Sequence, residues 1–193
     1  MYLVRRTRPR SIVSLQPVEH LLREHALHRR MLAVLECIAE RVECGDRFPA
    51  ADVAMALTYF REFLDRVHHG KESEVLFPAV VMSGGDETAE SIGALLADHD
   101  TNKLLLHSLT LFWEPGDLLP AERHGFADLV RTYAQRLRRG MHREESELFP
   151  LVLELPGDDC EQLLDDLERA GTGHRPMGFW LAEAARLESR YAG

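Results

Sequence analysis

A seven-residue pattern occurs twice in the chain, with its copies 72 residues apart. The first copy runs from Glu72 to Pro78 and the second from Glu144 to Pro150, and both end in Leu-Phe-Pro. In a helix, His68 lies one turn before Glu72, so the two side chains would project from one face about 5–6 Å apart. An imidazole and a carboxylate at that separation can hold a metal ion. Two copies of such a helix predict a pseudo-symmetric bundle with a metal site at its centre.

Apolar residues recur at helical spacing in four long segments, and no segment alternates with the period of a strand. The expected helices span about 17–43, 48–83, 86–113 and 120–154, and two shorter ones span about 158–170 and 176–191. Glycine and proline residues end them, at Gly45, at Ser83-Gly84-Gly85, at Glu114-Pro115-Gly116 and at Leu155-Pro156-Gly157. The sequence therefore predicts an all-α fold, an up-down-up-down four-helix bundle of duplicated helical hairpins with two short C-terminal helices.

The chain of 193 residues is long enough for one domain with a sizeable core. We expect a basic tail over 1–16, the bundle over 17–155 and a helical extension over 156–193. No run of 18 apolar residues and no secretory signal is found, and the three cysteines form no CxxC pair. These features favour a cytoplasmic protein with reduced thiols and no membrane partner. The net charge of −9 argues against nucleic-acid binding.

Five side chains are predicted to meet in the bundle core, because each continues the apolar stripe of its helix. These are His25 on the first helix, His68 and Glu72 on the second, His99 on the third and Glu144 on the fourth. A lone histidine on an apolar face is usually a packed core residue. Two buried glutamates at equivalent positions, however, need cations or hydrogen bonds. The five together therefore favour metal ligation.

Imidazole and carboxylate donors without thiolate favour iron, manganese or zinc, and carboxylates on opposed helices could bridge a pair of ions. The other histidines are given lesser roles. His28 and His69 are expected at the rim or surface, and His20, His107, His124 and His174 should be solvated. Glu145 is expected to face water.

At these residues the sequence resembles the hemerythrin-like family, also called the HHE cation-binding domain. The resemblance covers roughly residues 17–155 and depends on Glu24-His25, on His68-His69-Gly70-Lys71-Glu72, on Asp98-His99, on Glu144-Glu145 and on the two Leu-Phe-Pro segments. It implies a four-helix bundle with a non-haem di-iron centre that is open to oxygen, nitric oxide or peroxide. It also implies that His25 and His68 serve one iron and His99 the other, with Glu72 and Glu144 as bridges.

Two positions depart from the family pattern. Gly140 stands where a histidine is expected one turn before Glu144, and Lys103 stands one turn after His99, where its ammonium would repel a metal. His142 is expected to be exposed unless a π-bulge turns it inward. Three outcomes stay open: a di-iron centre with one poorly coordinated iron, a single metal ion, or a fold that has lost its metal.

The function expected from the sequence is thus a non-haem iron-binding protein that meets oxygen, nitric oxide or peroxide. Whether it carries, senses, stores or turns over that ligand is left open, as is enzymatic activity. The alternative is a metal-poor helical bundle that acts as an interaction module, for which the C-terminal helices could mediate a dimer.

Overall fold

The computed structural model describes residues 10–113 and 118–191, and within these ranges the chain forms helices and short connections with no strand. The predicted all-α bundle is confirmed. The first bundle helix is α1 (Arg10–Glu43). It packs against the fourth bundle helix and against both C-terminal helices.

The second bundle helix is a continuous run of α-helical and π-helical turns. It comprises α2 (Ala50–Tyr59), a π-helical segment (Phe60–His68), α3 (His69–Lys71), a second π-helical segment (Glu72–Leu76) and the first part of α4 (Phe77–Thr110). Gly85 divides α4, because its φ of 75° and ψ of −165° are not helical. Only glycine adopts such angles at little cost. The rest of α4 is the third bundle helix, which ends in a 3₁₀ turn (Leu111–Trp113).

The fourth bundle helix repeats this construction. It comprises α5 (Pro120–Arg143), a π-helical segment (Glu144–Leu148) and α6 (Phe149–Glu154). The extension forms α7 (Gly157–Ala170) and α8 (Met177–Tyr191), as predicted.

The predicted boundaries of the N-terminal tail and of the third bundle helix have different outcomes. α1 begins at Arg10, so residues 10–16 belong to the helix and not to the tail, and Pro17 lies inside it. A proline that could start a helix can also be tolerated within one, and its position alone does not distinguish the two cases. The rest of the predicted tail and the predicted break at 114–116 lie outside the described residues.

Both π-helical segments that begin at the repeated glutamates end just before a Phe-Pro pair. Pro78 and Pro150 lack the amide hydrogen, and each ring would clash with the carbonyl four residues earlier in a regular α-helix. A widened turn before the proline relieves that clash and lets the helix continue. The predicted kink at Pro78 therefore takes the form of a π-helical turn, and the second copy repeats it.

The buried apolar side chains form two separate clusters. The large cluster joins α1, α2, α4, α5 and α8 around residues such as Leu35, Phe60 and Trp180. The small cluster joins the other end of the bundle to α7 and includes Leu21, Phe77 and Leu148. Along each bundle helix, buried polar residues separate the residues of the small cluster from those of the large one, and together they form a polar layer.

The C-terminal helix α8 is held to the bundle by packing and by a buried carboxylate. Trp180 lies 5.4 Å from Tyr59, edge to face, measured between ring centroids. Asp52, in the first turn of α2, accepts a 2.8 Å hydrogen bond from the Tyr191 hydroxyl and pairs with Arg190 at 2.9 Å.

Among the described helices, none has the length and apolarity that a membrane crossing requires.

The position of α8 in the core can be tested with one substitution. Leu187→Ala removes a fully buried side chain of the large cluster and should lower the free energy of unfolding by about 2–5 kcal/mol. Leu104→Ala is the control, since this leucine is 69% exposed and its loss should change stability by no more than about 0.5 kcal/mol. Denaturant titrations of both variants measure the difference. Equal effects would show that α8 contributes nothing to the core.

Candidate metal centre

The five predicted side chains all lie in the polar layer between the two apolar clusters. Each is buried: His25, His68, Glu72, His99 and Glu144. They come from the four bundle helices, so the prediction that they converge on one point is confirmed by the distances below.

One group of donor atoms consists of His25, His68, Glu72 and Glu144, with one donor atom from each within 4.8 Å of the others. The Nε2 atoms of His25 and His68 are 3.1 Å apart. The His68 Nε2 atom is 3.2 Å from Glu72 Oε1, and the His25 Nε2 atom is 3.3 Å from Glu144 Oε2. Donors about 2.1 Å from a shared ion lie about 3.0–3.4 Å apart at octahedral or tetrahedral angles. These spacings therefore suit a single ion.

The second oxygen of each carboxylate faces the third bundle helix. Glu72 Oε2 is 3.5 Å from His99 Nε2, and Glu144 Oε1 is 3.7 Å from the same nitrogen. Each carboxylate thus has one oxygen near the histidine pair and the other near His99. This is the arrangement that a carboxylate bridge between two ions requires.

Hydrogen bonding leaves part of this layer unsatisfied. Both oxygens of Glu72, which is fully buried, and the Nε2 atom of His99 have no hydrogen-bond partner among the described residues. Burying a carboxylate without hydrogen bonds or a cation costs several kcal/mol. The donor set therefore fits a cation well, and the geometry offers the cation a place between these atoms.

The electrostatics of the layer agree with this interpretation. Burial lowers the pKa of His68, but the carboxylates of Glu72 and Glu24 outweigh that effect and raise it to about 10. Burial raises the pKa of Glu144, but the neighbouring imidazoles of His25 and His99 outweigh that effect and hold this pKa well below its usual range. The carboxylate is therefore ionised, and protonated imidazoles can balance its charge. A metal cation would compete with those protons.

Glu24 orients one histidine of the pair. His68 Nδ1 donates a 2.8 Å hydrogen bond to Glu24 Oε2, and the other oxygen of Glu24 accepts one from Lys71 Nζ at 2.5 Å. Because Nδ1 is the donor to the carboxylate, Nε2 is the nitrogen that faces the centre. Carboxylates hold metal-binding histidines in this way in many proteins.

Glu145 orients the other histidine. His25 Nδ1 donates a 2.7 Å hydrogen bond to Glu145 Oε1, and the Arg29 guanidinium donates to both oxygens of Glu145 at 2.6 and 2.8 Å. The expectation that Glu145 faces water was wrong, since its side chain is only 25% exposed. Glu24 and Glu145, which orient the histidine pair, thus each have a cation of their own. Among the described residues, the charged or titratable partners of Glu72 and Glu144 are imidazoles.

Two histidines expected at the rim are buried. His28 Nδ1 accepts a 2.5 Å hydrogen bond from the Tyr59 hydroxyl, and burial holds the pKa of His28 well below its usual value. His69 stacks on His99 with ring centroids 3.7 Å apart and planes 12° apart. One donor atom each from His69, Glu72 and His99 lie within 4.8 Å of one another. His20 was expected to be solvated, but it accepts a 2.9 Å hydrogen bond from Lys71 Nζ.

The two departures from the family pattern have different outcomes. His142 is exposed, because the π-helical segment begins after it at Glu144 and does not turn it inward. Gly140 lines the centre without supplying a donor. Lys103 is 51% exposed, and its Nζ lies 3.7 Å from both Asp65 Oδ1 and Asp100 Oδ1. Because these acids offset its charge, the expected repulsion of a metal by Lys103 is weakened.

The sequence analysis missed Glu24, Lys71, Glu145 and His69 as parts of the centre. All four are immediate neighbours of a predicted site residue in the chain: Glu24 precedes His25, His69 follows His68, Lys71 precedes Glu72 and Glu145 follows Glu144. The signal available in the sequence was an ionisable residue directly beside each predicted ligand on the same helix. Interpreting each helix as a single apolar stripe left these four positions outside the predicted site.

The buried pair of Lys71 and Glu24 gives a stability prediction. Lys71→Met leaves the Glu24 carboxylate buried without its cation and should lower the free energy of unfolding by about 3–5 kcal/mol. Lys103→Met removes an equal charge from half-exposed ion pairs and should cost about 1 kcal/mol or less. Denaturant titrations compare the two. An equal loss in both variants would contradict the role given to Lys71.

A comparison with protein families identifies the family to which the chain belongs. The sequence profile of the Hemerythrin HHE cation binding domain matches residues 16–152. No curated protein and no solved structure matches the chain. The profile covers most of the chain, including the five residues that converge on the centre. The chain therefore belongs to the hemerythrin HHE cation-binding family and is a hemerythrin-like metal-binding protein.

Proposed function

We propose that this protein binds a pair of non-haem iron ions and that the pair meets a small ligand such as oxygen, nitric oxide or peroxide. His25 and His68 would hold one ion and His99 the other. Glu72 and Glu144 would bridge them. The observation that carries the proposal is the position of these two carboxylates, each with one oxygen toward the histidine pair and one toward His99.

The chemistry of the donors supports iron. Imidazole and carboxylate side chains suit iron, manganese and zinc, and paired carboxylates inside a helical bundle are typical of dinuclear iron and manganese sites. Among the described residues, neither donor group contains a cysteine. The buried Cys160 Sγ donates to the Val152 carbonyl and lies near the Leu155 carbonyl, at the end of the fourth bundle helix. A ferrous pair would supply electrons and an open coordination position to a small oxidant.

The surroundings of the centre restrict what can reach it. A narrow cavity lies beside His99 and Glu144, and Leu64, Leu137 and Met141 form an apolar part of its lining. Its volume of about 10 Å³ leaves room for no more than one water-sized molecule, which excludes an organic substrate. These side chains would keep bulk water away from the ions, while Glu24 and Glu145 keep the His68 and His25 rings in place.

The histidine pair should be needed for metal uptake, because it supplies both nitrogens of the first ion. Purified protein loaded with ferrous iron should retain about two ions per chain after desalting. After oxidation it should absorb in the near ultraviolet, in a band that changes on adding azide. His68→Ala should lose iron, while His107→Ala should keep it, since His107 is exposed on the third bundle helix.

Elemental analysis and absorption spectra of the three proteins give the result. Unchanged iron content in His68→Ala would refute the assignment of this ligand. A wild-type protein without retained iron, whose melting temperature a chelator does not lower, would instead support a metal-free interaction module.

A further inference from the structure

The two sides of the centre are unequal in nitrogen donors. His25 and His68 face one oxygen from each bridging carboxylate, whereas on the other side His99 alone was predicted. The fourth bundle helix cannot supply the missing imidazole, because Gly140 occupies the position one turn before Glu144. An ion on this side would have one nitrogen and two carboxylate oxygens.

His69 lies where a further nitrogen is needed. Its ring is buried and stacks on the ring of His99, and it follows His68 directly in the second bundle helix. One donor atom of His69 lies within 4.8 Å of a donor atom of Glu72 and of one of His99. This second group shares only Glu72 with the first group of donors.

Buried polar atoms without hydrogen-bond partners lie around His69, His99 and Glu72. His69 Nδ1, His99 Nε2 and both oxygens of Glu72 are buried and have no hydrogen-bond partner among the described residues. Asp65 Oδ1 is 3.6 Å from His69 Nδ1 and 3.7 Å from Lys103 Nζ, and it also has no hydrogen-bond partner among the described residues. Burying several polar atoms without hydrogen bonds lowers the stability of the fold. A metal ion coordinated by these atoms would remove that cost.

We propose that His69 is the second imidazole ligand of the ion held by His99, in place of the histidine that Gly140 excludes. The inference rests on the proposed function, because it assumes that a second ion is bound. The two rings are now nearly parallel, so binding one ion through both requires the His69 ring to rotate away from the stack. The narrow cavity lined by His69, Gly140 and Met141 lies next to this ring.

The test separates ligation from packing. His69→Phe keeps an aromatic ring against His99 and removes both nitrogens. It should retain about one ferrous ion per chain, where the wild-type protein retains about two. His28→Ala is the control, since His28 is also a buried histidine but belongs to neither donor group, and this variant should retain about two ions.

A rescue variant guards against a general loss of structure. In His69→Phe with Gly140→His, the new side chain starts on the fourth bundle helix beside Glu144. A Cβ atom at position 140 would meet nothing closer than Glu144 Oε1 at 3.8 Å, so the backbone can accept it. The double variant should again retain about two ions. Anaerobic loading with ferrous iron alone, elemental analysis and circular dichroism melting measure the outcome for each protein.

The results distinguish this inference from the proposed function. Two ions in the wild-type protein, one in His69→Phe and two in the double variant would support it. Two ions in both the wild-type protein and His69→Phe would overturn the role of His69 and leave the iron pair intact. One ion in both would also overturn it, and no ion in the wild-type protein would overturn both proposals.

Discussion

Two carboxylates in the middle of an apolar bundle are the constraint on which the rest of the structure depends. Glu72 and Glu144 are both buried, and the oxygens of Glu72 have no hydrogen bonds among the described residues. Such groups are stable in a core only with positive charge nearby. The histidines of three helices surround them for this reason, and the apolar core is divided into two clusters.

The duplication explains why the carboxylates face each other. Each glutamate begins a π-helical segment that ends at a Leu-Phe-Pro sequence. The two hairpins thus place equivalent glutamates at equivalent depths. The symmetry fails in the next layer, because the second hairpin has Gly140 where the first has His68. Because the halves of the centre are unequal, the two ions of the proposed pair should be bound with unequal strength.

Much of the fold could be predicted from the sequence because helical periodicity and helix-ending residues are local signals. The breaks at Gly85 and at Leu155 were found in this way. The convergence of the five core residues followed from stripes that continue the apolar face. Residues that lie beside a stripe were missed, because the packing of neighbouring helices decides whether they are buried.

Glu145 illustrates the limit. It lies next to Glu144, and rotation along an ideal helix predicted that it would face water. The first bundle helix covers it, and His25 and Arg29 bind it there. The same holds for Glu24, whose partner Lys71 comes from another helix. Such long-range pairs depend on how helices face each other, and neither composition nor spacing within one helix contains that information.

The proposed bridging role of Glu72 and Glu144 is tested most directly by anomalous diffraction at the iron absorption edge from crystals loaded with iron. We expect two anomalous peaks between these glutamates, separated by about 3.5–4 Å as in other two-metal sites. One peak beside His25 and His68 should contact both nitrogens, and the other should lie beside His99. A single peak, or peaks away from the two carboxylates, would contradict the proposed bridging role.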